Sequence, residues 1–124
     1  MLFNKKIVLE IIRTHFGEEI EIQASGIVMN LESFELEGFF SSSVDFAMLD
    51  VIDEISVEDY KVETDGRACL VEGLLTVLAI LEGYVHWDGE AEYIGNEEVP
   101  LTFMFQFIVN ENKYSDFQLN YIYG

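Results

Sequence analysis

Apolar residues recur at helical spacing most clearly at the start of this chain. Ile7, Val8, Ile11 and Ile12 fall on one stripe, extended by His15, with Asn4 placed to cap the first turn and Gly17 to stop the last. The pattern predicts a helix over residues 4–16. Lys5 and Lys6 would stand at the positive end of its dipole and Glu18 and Glu19 beyond the negative end, so docking of the stripe on a sheet has to supply most of its stability.

From Glu18 the period becomes alternating. Ile20, Ile22 and Ala24 oppose Glu19, Glu21 and Gln23, the mark of a half-buried strand, and Gly26 shifts the phase to Ile27, Met29 and Leu31 as a bulge would. A second strand is expected at Phe34, Leu36 and Phe40, bent at Gly38. Residues 44–55 fit two patterns: strand followed by loop, the preferred reading, or a helix capped by Ser43 that uses Val44, Met48, Val51, Ile52 and Ile55.

The second half is richer in strand signals. Residues 57–64 run into Asp65-Gly66 and then 67–81, the strongest hairpin sign in the chain. Residues 74–81 are apolar on both faces, as in a central strand covered by the helix on one side and by curling sheet on the other. Strands follow at 84–87, with Trp87 turned to the core, and at 90–94 after an Asp88-Gly89 turn or bulge. After a loop at 95–100, Leu101, Phe103, Phe105, Phe107 and Val109 share one face of a further strand. A loop at 111–116 then leads to Phe117, Leu119, Tyr121 and Tyr123. One helix before a run of strands is an α+β arrangement: an N-terminal helix packed on a strongly curved, mainly antiparallel β-sheet of about five to seven strands.

Composition narrows the class. Half of the 124 residues are apolar, and 10 Phe and 6 Tyr separate the chain from acidic disordered sequences, so residues 1–124 are expected to fold as a single domain. The start reads as no secretory signal, because Glu10 interrupts the apolar stretch. A lone cysteine, Cys69, allows no internal disulfide and suits a reducing compartment, so a cytoplasmic location is expected. No membrane association is expected either, the longest apolar runs being too short to span a bilayer.

Familiar catalytic and cofactor signatures are missing: there is no phosphate loop, no paired Cys-x-x-Cys and no His-Glu-x-x-His, and His15 and His86 are the only histidines. No catalytic residue, metal ligand or cofactor is assigned, and the expected role is binding rather than catalysis. His86, Asp88, Glu90 and Glu92 would line one face of a continuous strand and offer ligands to a divalent cation, but Gly89 argues against that continuity.

Charge then supplies the functional reading. There are 24 Asp and Glu against 6 Lys and Arg, a net charge of -18, with twelve acids and no Lys or Arg between Thr14 and Tyr60 and eight and none between Ala68 and Asn112. Such a surface repels nucleic acid and favours a basic protein partner. The densest patches are Asp50, Asp53, Glu54, Glu58 and Asp59, and Asp88, Glu90, Glu92, Glu97 and Glu98, and Tyr60, Tyr84 and Tyr93 lie near them. These are the candidate partner-binding residues. They suit an acidic nucleic-acid mimic that occludes the cationic groove of a nuclease-like protein, as an immunity, antitoxin or anti-defence factor would. The alternatives are solubility alone, or an apolar-ligand cavity between helix and sheet lined by the Phe-rich strand.

Overall fold

In the computed structural model, which describes residues 2–122, Asn4 caps the first helix: its Oδ1 accepts the Ile7 backbone N–H at 2.8 Å. Helix α1 (Lys5–His15) buries Val8, Ile11 and Ile12. Burial contributes about 1.5–3 kcal/mol for each such side chain. The misplaced Lys5 and Lys6 cost only about 0.3–1 kcal/mol each, so packing decides.

The expected strand after Gly17 is instead a second helix, α2 (Gly17–Met29), which buries Ile20, Ala24 and Val28 at a spacing of four. Ile22 belongs to the alternating pattern but is 67% exposed. Gly17 opens this helix rather than closing the first one. Phe16 is the joint, its N–H donating to Ile12 O at 2.9 Å and its carbonyl accepting from Ile20 at 2.9 Å. Glu18 and Glu19 therefore sit at the positive end of α2, where their charge is favourable. The second expected strand is also helical: α3 (Ser33–Leu36) begins with a Glu32–Glu35 capping box and buries Leu36.

Four antiparallel strands follow in the order β1-β2-β3-β4: β1 (Phe46–Asp65), β2 (Ala68–Trp87), β3 (Glu90–Asn110) and β4 (Lys113–Tyr121). The fold is α+β, with four strands rather than five to seven, because what reads as several short strands is continuous. The loop expected in the later part of 44–55 lies within β1, and that expected at 95–100 lies within β3. The loop at 111–116 shrinks to a Glu111-Asn112 turn and a bulge at Asp116, where φ is 58°. Asp88 and Gly89, at φ 53° and 81°, close the β2–β3 hairpin in the left-handed conformation that a type I′ turn requires. Tyr123 lies outside the described residues.

The helices cover one face of the sheet. Val71, Leu75, Val77 and Leu81 of β2 join Leu101, Phe103, Phe105 and Phe107 of β3 in the core beneath them. The Phe16 ring lies 5.3 Å from that of Phe107 and stacks at 4.9 Å on Phe117. The opposite face has no second layer among the described residues, so Leu74, Leu78 and Ile80 are half-buried rather than enclosed on both sides. Trp87 does not reach the core and is 72% exposed at the hairpin tip.

Candidate functional site

Strand β1 forms one edge of the sheet and carries the whole of the first acidic patch. Its register against β2 slips three times, between Leu49 and Val51, Ile52 and Glu54, and Val57 and Asp59, so Asp50, Asp53 and Glu58 are the extra residues of three bulges. Bulges and charge on an edge strand both discourage sheet-to-sheet pairing. Beside the third bulge β1 and β2 approach closely: a Cβ on Gly73 would lie 2.1 Å from the Asp59 carbonyl oxygen.

The register divides the candidate residues into two groups. Phe46 pairs with Tyr84 and Tyr84 with Tyr93, while Glu54 pairs with Leu78 and Leu78 with Pro100. This half of the sheet, running to the β2–β3 turn, holds Asp50, Asp53 and Glu54 of β1, Glu82 of β2, Asp88 of the turn, and Glu90, Glu92, Glu97 and Glu98 of β3. These are nine carboxylates with no Lys or Arg in the same three strand segments. Three of the cations are on α1, and the rest lie toward the opposite end. There Lys61 pairs with Glu72 at 3.1 Å and Glu63 at 3.7 Å, and Arg67 with Glu111 at 2.8 Å.

Glu58, Asp59 and Tyr60 do not join the acidic end. Asp59 lines a shallow cleft with Lys61 and Glu72. Tyr60 packs against the core, and its hydroxyl donates to Phe3 O at 2.9 Å. The carboxylates that do gather are spread over both faces. Glu82 and Glu98 lie with Tyr84 on the open face, whereas Glu90, Glu92 and Glu97 alternate onto the helix-side face beyond the helices. The turn at Asp88-Gly89 breaks the strand that would have aligned His86, Asp88, Glu90 and Glu92. Among the described residues no group of three or more His, Cys, Asp or Glu is placed to hold a metal ion.

Aromatic rings centre this acidic end. Phe46 and Tyr84 stack at 5.1 Å and are nearly parallel at 8°, with His86 5.2 Å from Phe46 and Tyr93 5.7 Å from Tyr84. The Tyr93 hydroxyl donates to Asn96 Oδ1, and the His86 backbone N–H donates to Asp45 Oδ2 at 2.7 Å. Partial burial, then the charge of Glu82, Tyr93 and Asp50, raises the Tyr84 phenol above its ordinary 10.0. At the other end the hydrogen bond that Lys61 donates to Glu72, the charge of Glu72 and that of Glu63 hold the Lys61 ammonium above 10.5.

Sequence reasoning finds Asp88, Glu90, Glu92, Tyr93, Glu97 and Glu98 as a run of acid, but it misses Phe46, Asp45 and Glu82, which only strand pairing brings to them. Chemically the end offers carboxylate acceptors for charge-assisted hydrogen bonds from Arg and Lys, and aromatic faces on which a guanidinium can lie. Among the described residues no helix is long and apolar enough to cross a membrane. No family model matches the chain, and comparison with curated proteins and with solved structures returned no significant match.

Proposed function

We propose that this protein binds a basic, nucleic-acid-binding partner through the acidic end of its sheet and neutralises it by filling the groove that would otherwise hold phosphates. The observation that carries the reading is the placing of nine carboxylates, without Lys or Arg in their strand segments, in the half of the sheet that also holds the Phe46, Tyr84 and Tyr93 rings. An ordinary surface intersperses both signs, because concentrated like charge opposes folding. Here nine of the 24 acids crowd one half of the sheet, where their charge is useful for steering and docking a cation-rich surface. Tyrosines beside the charge suit the anchoring role that aromatic side chains take in interfaces. The reading places the encounter in the cytoplasm, in keeping with the single thiol of Cys69.

Affinity capture from the native lysate tests it. The immobilised chain is expected to retain a basic protein that high salt releases and whose nucleic-acid binding it blocks. A variant carrying Asp88→Asn, Glu90→Gln and Glu92→Gln is expected to retain much less. Equal capture by that variant, or retention indifferent to salt, contradicts the reading.

A further inference from the structure

The sheet's uncovered face asks for a different kind of contact from the acidic end. Along β2 the side chains of Leu70, Leu74, Leu78 and Ile80 are half-buried, and none packs against the core beneath the helices. Met104 of β3, Val51 of β1 and Met48 of β1 flank them at 50%, 42% and 39% exposure. Acids rim this stripe: Glu54, Asp59 and Glu63 on the β1 side, Glu72 and Glu82 within β2, and Glu98 on β3. Lys61 is the one cation that β1 places on this face, and it is already tied to Glu72 and Glu63. Glu72 and Thr76 interrupt the row, and apolar side chains grouped between acids in this way mark an interaction surface.

The protein shows how such a face is covered. Its own α1 presents an apolar stripe to the other side of the sheet and carries Lys5, Lys6 and Arg13, three of the six Lys and Arg in the chain. Arg13 reaches over the acidic strand to donate to Ile55 O at 3.3 Å. A basic amphipathic helix on one face of this sheet is therefore an arrangement the fold already uses. The open face has the matching apolar side chains and acidic rim, and no helix among the described residues.

We propose that the open face of the sheet seats a basic amphipathic helix of the partner, its apolar side on Leu74, Leu78 and Met104 and its Lys or Arg side toward Glu54, Asp59 and Glu63. The inference rests on the proposed cationic partner and names the element that partner presents. The ten-residue step from Leu70 to Ile80 spans about 33 Å of strand, which an α-helix covers in about 22 residues. A second copy of this chain is disfavoured as occupant, because pairing two such faces would oppose acid with acid on a chain of net charge -18. An extended peptide finds no free backbone groups on a sheet face, since the ladder hydrogen bonds lie in the plane of the sheet.

The test uses the full chain and two synthetic peptides of about 18 Leu and Lys residues, one with Leu at helical i, i+3, i+4 spacing and one scrambled to the same charge. Titration is expected to give the amphipathic peptide an affinity about tenfold higher than the scrambled one, with Met104→Glu removing most of that advantage. That variant makes the chain more acidic, so pure charge attraction predicts equal or tighter binding. Met48→Glu provides the same comparison at a second site if circular dichroism shows that Met104→Glu does not fold. Equal binding of both peptides, unweakened by the substitution, overturns the helix seat and leaves the charge reading standing. Binding of neither peptide overturns both. Dimerisation of the chain alone in sedimentation, abolished by Met104→Glu, would make a second copy the occupant and overturn the inference.

Discussion

Gln23 protects the far edge of the sheet with one side chain. Its amide nitrogen donates to Phe117 O and its carbonyl oxygen accepts from Leu119 N, each at 2.8 Å, so it completes the outward hydrogen bonds of β4 much as another strand would. Gln23→Ala leaves two part-buried backbone groups short of partners and is expected to lower unfolding stability by about 1–3 kcal/mol in urea denaturation. Tyr84 makes a second prediction. Its raised pKa means that the folded state holds the phenolic proton more tightly, so this stability is intact below about pH 10, the ordinary tyrosine value, and falls as pH rises through the higher folded one. Ultraviolet titration is expected to show a tyrosine step above the ordinary value of 10.0, and Tyr84→Phe is expected to remove it. A Tyr84→Phe titration indistinguishable from the native one would contradict the assignment.

Strand β1 depends on its bulges. With Gly73 beneath the third of them, Gly73→Ala drives a methyl into the Asp59 carbonyl and must push the two strands apart. A loss on the order of 3 kcal/mol is expected, read by thermal or denaturant unfolding. The same bulges explain why this strand is hard to read from the sequence. Leu49, Ile52 and Ile55 pair with the core-facing side of β2 yet stand three residues apart, because Asp50 and Asp53 each add a residue, and a spacing of three imitates a helix. Helix α2 misleads in the opposite way: Ile22 is exposed, but its alternation with Glu19, Glu21 and Gln23 outweighs the spacing of Ile20, Ala24 and Val28. Helix α1 and the hairpin turns are legible because a cap or a turn residue agrees with the periodicity around it. The acidic runs of the candidate site are equally plain in the sequence. Their separation into an acidic end around Phe46 and Tyr84 and a cleft beside Lys61 depends on long-range register, which no local pattern records.

A chain of net charge -18 folds against its own repulsion, and the ion pairs of Lys61 and Arg67 relieve little of it because they are exposed. Screening should therefore stabilise the isolated protein: its Tm is expected to rise as sodium chloride is added, most steeply at low ionic strength. The same salt should weaken capture of a cationic partner. These opposite responses separate self-repulsion from recognition. The decisive measurement is the association rate with the captured basic partner, followed by stopped flow across ionic strength. It is made for the native chain and for one with Asp88, Glu90, Glu92, Glu97 and Glu98 replaced by their amides. A carboxylate-steered encounter predicts a native rate that falls about tenfold or more from low to physiological salt and a variant that starts slow and responds weakly. Matching rates and matching salt slopes for the two proteins would contradict it.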